Sequence, residues 1–259
     1  VKPKIAIIGA GPCGLLAAYA VESRGCEATL FAPEIRDGFL GAQVLHKAIP
    51  GLTGVFSDAI IHIAKWGQEA VYRQKVYGSV ELDGPTSWDE YQGTLAVWNL
   101  GITNKLLLDL FKSKIVTRYV KPAHIPMIVR GYDAVINTAP AKVFCEYPGL
   151  HQFPDVRVTI IGKAAVGVAP NQIVYNGTQH DEWYRSSRLF GFASTEYGVD
   201  ERLEVGGTPV RKPLWTDCDC HLGPGYYRAG RYGRWQKGVL AHDGYDTGME
   251  AVNALYALQ

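Results

Sequence analysis

The first two dozen residues constrain this chain more than any others. Lys4-Ile5-Ala6-Ile7-Ile8 is an apolar run of strand length, Gly9-Ala10-Gly11-Pro12-Cys13-Gly14 follows at once, and Leu15 to Val21 continues as an apolar helical run. A G-x-G-x-x-G turn between a buried strand and a helix is the opening βα unit of a doubly wound, nucleotide-binding parallel sheet. Gly9 permits the tight turn, Gly11 lets the backbone approach a pyrophosphate, and Gly14 lets helix and strand pack closely. The unpaired N–H groups and the dipole at the helix N-terminus favour an anion at the same place. Ala10, Pro12 and Cys13 complete the loop, with Cys13 as a small packing residue.

At 259 residues the chain makes one large domain or two closely joined ones. With 26 basic and 25 acidic residues its net charge is +1, so no global field steers it toward nucleic acid or anionic lipid. No apolar run approaches the roughly 18 residues of a membrane span, so no membrane partner is expected. The chain opens on its first strand, so no signal peptide is expected. Five irregularly spaced cysteines argue for a reducing compartment rather than a disulfide framework. A cytoplasmic location is the expectation.

Glu27–Ala32 reads as the second strand. Sheets of this kind place an acidic residue at its end to hold a ribose. Here Ala32-Pro33 stands there and Glu34 follows two residues late, so either Glu34 reaches the ribose or the contact is missing. Gly38 to His46 is an irregular, glycine-bearing loop. Ala59–Ala64 reads as strand and Gln68–Tyr77 as helix. Thr103 is expected to cap a helix over Asn104–Lys112. Ile115–Val120, Met127–Arg130 and Asp133–Thr138 read as strands. Val156–Ile161, Gln172–Tyr175 and Arg188–Ala193 read as strands of an antiparallel layer. A last helix is expected from about Asp246 to Leu258.

Several segments together carry a resemblance. The Gly9–Gly14 loop, Asp133-Ala134-Val135-Ile136-Asn137-Thr138-Ala139-Pro140, Gly230-Arg231-x-Gly233-x-Trp235 with the last helix, and Asp181-Glu182-Trp183-Tyr184-Arg185-Ser186-Ser187-Arg188 resemble the FAD-binding flavoprotein superfamily of UDP-galactopyranose mutase, the amine oxidases and protoporphyrinogen oxidase. The resemblance implies an α/β fold: a Rossmann-like FAD-binding parallel sheet with an inserted, mostly antiparallel substrate layer. FAD-binding parts would be 1–50, 115–150 and 226–259, with a substrate-side insert at 51–114 and an antiparallel sheet at 151–225. Gly9 to Gly14, Ala32, Glu34, Gly41, Ala42, Gln43, Val116, Ala139, Pro140, Gly230, Arg231, Val239 and Leu240 would contact FAD. FAD is long enough to need both chain ends. The start of the last helix would favour an anionic reduced flavin, and Arg231 would complement the cofactor's charge.

His46 and Gln43 are the candidate catalytic residues, on the loop expected near the flavin. Tyr184, Arg185, Arg188 and Trp235 are candidate substrate contacts, the arginines as forked clamps for an anionic group. Arg231, Arg234 and Lys237 alternate with Tyr226, Tyr227, Tyr232 and Trp235, a pattern that also suits nucleobase stacking. Cys218-Asp219-Cys220-His221 has only His242 as a distant helper and no second ligand pair, so no metal is expected. The expected function is oxidation of a C–N bond in an amine or amino-acid-like small molecule. The alternatives are a non-redox flavin reaction of the mutase kind and action on nucleic acid or a modified base.

Overall fold

The structure is a computed structural model that describes residues 2–36, 38, 43–53, 58–78, 85–198, 206–221 and 223–257. In chain order its first elements are β1 (Lys4–Ile8), α1 (Pro12–Ser23), β2 (Glu27–Ala32), β3 (Val44–Leu45), β4 (Asp58–Gly67), α2 (Glu69–Tyr77), α3 (Ser87–Glu90) and β5 (Gly93–Asn99). Then come α4 (Leu100–Phe111), β6 (Ile115–Thr117), α5 (Ile125–Gly131), β7 (Ala134–Asn137), β8 (Asp155–Gly162), β9 (Gln172–Gly177), β10 (Trp183–Leu189) and β11 (Phe192–Tyr197). The chain closes with β12 (Thr208–Pro213), β13 (Tyr226–Arg228), α6 (Gly230–Arg234) and α7 (Asp243–Ala257). The fold divides into two units, one of residues 1–52, 100–154 and 213–259, the other of residues 53–99 and 155–212.

The first unit is built on a five-stranded sheet in the order β13-β7-β1-β2-β6, every pair parallel. Counted along the chain within the sheet, this is the order 3-2-1-4-5 reversed. Strands β2 and β7 flank β1, so the connections diverge at its C-terminal end, which is where such sheets bind ligands. Ile5, Ala6, Ile7 and Ile8 are buried in succession, as a parallel strand covered on both faces requires. Ala6, Ile8, Phe31, Val135 and Tyr226 pack with Val120, Ile125, Ile128 and Phe144 on one side. Helix α7 packs along α1, where a Cβ on Gly248 would crowd Ala17 and Ala20. Helix α4 also packs on α1, so residues 100–114, assigned to the insert on sequence grounds, belong with this unit.

The strands of the second unit run β12-β8-β11-β10-β9-β4-β5. Pairing is antiparallel for β4–β5, β9–β10, β10–β11 and β8–β11, and parallel for β4–β9. Val168, Val174 and Trp183 form a core with Ala64, Ala165 and Tyr197.

Three sequence expectations are corrected. Residues 127–130 are helical, within α5: Pro126 opens the helix, and Ile125 and Ile128 bury one face at i, i+3 spacing. Thr103 is a buried residue inside α4, which starts at Leu100. Residues 188–193 span a hairpin turn, with Phe190 at φ 52° and Gly191 at φ 80° between β10 and β11.

Candidate functional site

The glycine loop joins β1 to α1 at the divergence point of the parallel sheet. Gly9 has φ +108°, and a Cβ there would run into the Thr138 hydroxyl. That hydroxyl donates to the Ile8 carbonyl at 2.9 Å, and the Thr138 N–H donates to the same carbonyl at 2.9 Å. A Cβ on Gly14 would overlap the Gly9 carbonyl. Gly11 differs from both. It is exposed, its backbone is extended (φ −79°, ψ −178°), and a Cβ there would meet nothing within 4 Å. The packing of the protein therefore explains Gly9 and Gly14, while the space beside Gly11 is open.

Gly11 is the N-cap of α1 and caps nothing with a side chain. Pro12 has no N–H, and the N–H groups of Cys13 and Gly14 precede the first intrahelical bond, Leu15 N–H to the Gly11 carbonyl at 2.9 Å. No acidic residue of α1 itself occupies the first turn, so no carboxylate of this helix offsets its dipole there. Burial, with Asp243 adding to it, pushes the Cys13 thiol well up, which leaves it uncharged and consistent with packing. Ala139 and Pro140 follow Thr138 at the end of β7, with the Ala139 N–H donating to the Asn137 side chain at 3.0 Å.

The C-terminal segment closes on this loop. A Cβ on Gly230 would strike the Cys13 sulfur, and one on Gly244 the Cys13 carbonyl. Gly233 sits against the Asn137 carbonyl. Residues more than two hundred positions apart in sequence thus pack around the first helix turn.

Helix α7 begins at Asp243, earlier than the sequence suggests, so its first turn holds Asp243 and Asp246. Asp243 accepts from Gly230 N–H and Arg234 Nε, both at 2.8 Å, and Asp246 pairs with Lys47 at 2.6 Å. The expected bare helix dipole is thus occupied by two ion-paired carboxylates. His242 lies just before α7. Burial holds it below the ordinary imidazole range, against Asp246 and with help from Lys47, and its Nδ1 has no partner among the described residues. Sequence reasoning considered His242 only as a metal helper, and its partial burial beside Asp246 and Lys47 was not visible there.

The other candidates fall into place as follows. Ala32 ends β2, and Glu34 lies beyond it with its side chain 54% exposed, paired with Arg36. Val116 is exposed on β6, opposite Phe31. Gln43 accepts the Leu100 N–H through its carbonyl at 3.2 Å, His46 follows β3 half-buried, and Lys47 links this segment to α7. Gly41 and Ala42 lie outside the described residues. Arg231 donates to the Pro213 carbonyl at 3.2 Å, and Val239 and Leu240 are half-buried ahead of α7.

The expected substrate contacts are different in kind. Tyr184 is buried in the second unit and donates to Glu196 at 2.5 Å. Arg185 pairs with Glu196 at 3.0 Å, and Lys212 pairs with it as well. Burial opposes the Glu196 charge, but Lys212 and Arg185 outweigh it and hold the carboxyl down at about 2. Arg185 is therefore neutralised inside the protein instead of presented as an anion clamp, whereas Arg188 is exposed. Trp235 is buried, its Nε1–H donating to Pro154 at 3.1 Å and its ring meeting Phe153 edge-on at 5.7 Å. Its indole serves packing. Arg234 also donates to Thr247 at 3.1 Å. With Trp235 and Tyr226 buried and Arg228, Arg231 and Arg234 bonded internally, this segment does not form a basic stacking surface for nucleobases.

No protein-family model matches the sequence, and no curated protein does. Solved structures match the fold. A flavoprotein/dehydrogenase from Cytophaga hutchinsonii aligns with TM-score 0.57 at 12% identity, covering 99% of this chain and 79% of that one. A 2-methyl-3-hydroxypyridine-5-carboxylic acid oxygenase aligns with TM-score 0.58 at 10% identity, over all of this chain and 82% of that one. CmlS, a flavin-dependent halogenase, aligns with TM-score 0.55 at 15% identity, over 98% of this chain and 57% of that one. The chain shares the mixed α/β fold of these proteins, a parallel sheet with a mostly antiparallel second sheet. None of the three is described as an amine oxidase or a mutase.

Proposed function

We propose that this chain is an FAD-dependent enzyme acting on a small molecule, with the cofactor's pyrophosphate on the Gly9–Gly14 loop. The observation that carries the reading is Gly11. It is a loop glycine that neither its backbone angles nor its neighbours require, at the divergence point of a 3-2-1-4-5 parallel sheet. The likeness in fold to a flavoprotein/dehydrogenase and to a flavin-dependent halogenase supports flavin as the cofactor.

The residues fit such a group. The Cys13 and Gly14 N–H groups would receive the pyrophosphate, with Ala10 and Pro12 shaping the loop. Ala32, Glu34 and Val116 would face the nucleoside end. Gly41, Ala42, Gln43, Ala139, Pro140, Gly230, Arg231, Val239 and Leu240 would line the remainder. When bound, FAD supplies hydride transfer at N5. The chain's own part is to orient the substrate, exclude water and handle a proton, for which His46 and His242, whose burial disfavours the charged ring, are candidates.

We carry forward hydride removal from a C–N bond as the reaction, on the strength of the sequence resemblance. Anaerobic mixing of the FAD-loaded protein with a panel of amines and amino acids tests it. Bleaching of the flavin absorbance by an amine supports the reading. Turnover of a UDP-sugar without net redox change, or bleaching only by other substrates, replaces the amine assignment while leaving FAD in place.

A further inference from the structure

We propose that Cys145, His151, Cys218 and Cys220 form a structural zinc site in the first unit, independent of the flavin assignment. The four ligand atoms all lie within 4.8 Å of one another. Cys145 Sγ is 3.1 Å from His151 Nδ1 and 4.0 Å from Cys220 Sγ, and Cys220 Sγ is 3.7 Å from His151 Nδ1. A tetrahedral zinc ion with Zn–S of about 2.3 Å and Zn–N of about 2.0 Å has ligand–ligand edges of roughly 3.3–3.8 Å. The three Cys145, His151 and Cys220 spacings bracket those edges. The Cys145–Cys220 separation is far from the roughly 2.05 Å of a disulfide.

The surroundings are those of a closed, structural site. All three cysteines are buried, with Phe153 packed against them. Four protein ligands leave no open position for a substrate or water. Three thiolates around a divalent ion leave one net negative charge, and Arg228 stands ready to balance it. Arg228 donates to Cys218 Sγ at 3.4 Å, to the Cys218 carbonyl at 2.5 Å and to the Cys220 carbonyl at 2.8 Å. Asp219 lies 3.9 Å from His151 Nε2, on the side of the ring away from the thiols. Gln152 N–H donates to Asp217 at 2.7 Å and the Thr216 hydroxyl to the Gln152 carbonyl at 2.7 Å, so the two ligand-bearing segments are held together apart from any metal.

The sequence hides this site because its ligands come from two places. Cys218 and Cys220 offer a C-x-C pair, while Cys145 and His151 stand about seventy residues earlier, on the other side of strands β8 to β12. His151, and not His242 or His221, joins the thiols. The site lies where the chain leaves the first unit, just before β8, and where it re-enters after β12. An ion there fastens exit to re-entry and, through Arg228, both to the edge strand β13. Three thiol protons pass to solvent as the ion binds.

The test is metal content of the full chain, expressed with zinc and purified without chelator or a metal-affinity tag. The expected result is about one zinc per chain, and exchange with Co²⁺ giving an intense thiolate-to-cobalt charge-transfer band and tetrahedral d–d bands. His151→Ala should lose the metal, His151→Cys should restore it, and Cys26→Ser, a buried cysteine elsewhere, should retain it. A full chain that takes up neither zinc nor cobalt overturns the proposal, as does a Cys145–Cys220 disulfide in the purified protein. If His151→Ala fails to fold, wild-type metal content with the His151→Cys cobalt spectrum decides.

Discussion

The contrast between Gly11 and Gly14 separates binding from folding. Gly11 has an extended backbone that any residue adopts, and open space beyond it. Gly11→Val sets a gain through the unfolded chain against valine's weaker N-cap preference, so the apoprotein should stay within about 1 kcal/mol of wild type, a shift under about 4 °C in Tm. The isopropyl group would stand where the pyrophosphate approaches. Losing two charge-assisted hydrogen bonds, from Cys13 and Gly14 N–H, costs about 1.5–3 kcal/mol each, or roughly a hundredfold to ten-thousandfold in FAD affinity. Gly14→Ala is the opposite case. Its methyl group would collide with the Gly9 carbonyl, so the apoprotein itself should lose about 1–3 kcal/mol or more. Thermal melts with and without FAD, beside equilibrium titration of FAD fluorescence, read both effects. A Gly11→Val protein that retains stoichiometric flavin, or that melts as low as Gly14→Ala without it, would refute the reasoning.

Further outcomes follow from the same geometry. Glu196→Ala leaves Arg185 and Lys212 buried without their carboxylate and should cost about 3–5 kcal/mol in denaturant melts. Because the folded Glu196 carboxyl sits at about 2, below its ordinary value of 4.5, its contribution is complete above that value and fades as pH falls toward 2, where melts should show it vanish. Arg234→Ala should cost about 1–2 kcal/mol by releasing Asp243 and Thr247, a loss that a solvent-facing arginine would not show. Glu34→Ala should weaken FAD by about 1–3 kcal/mol if Glu34 exchanges Arg36 for the ribose, and an unchanged dissociation constant would show that no carboxylate holds it.

The glycine loop was legible because its constraints are local. A strand, a turn with fixed glycine positions and a helix are contiguous, and the structure realises them as β1, the loop and α1. The approach of Gly230 and of the last helix to that loop was legible only through resemblance, since no local signal links residues two hundred positions apart. Helix α5 was misread as strand because Met127–Arg130 is a short apolar run without enough length to show a period. The fates of Arg185, Arg234 and Trp235 were hidden for a different reason. An arginine beside serines or glycines looks the same in sequence whether it meets solvent, a ligand or a buried carboxylate, and Glu196, Asp243 and Pro154 decide it only in three dimensions. Cys145 and His151 carry no local signal that ties them to Cys218 and Cys220, because the four residues meet only in three dimensions.

The most direct measurement is cofactor occupancy of the full chain. The purified protein, equilibrated with FAD and freed of excess, should carry about one FAD per chain with shifted flavin bands, and should release it on Gly11→Val. A protein that retains no flavin and leaves the FAD spectrum unperturbed, while the same chain binds NAD or NADP, would contradict the flavin assignment and make the glycine loop a nicotinamide dinucleotide site.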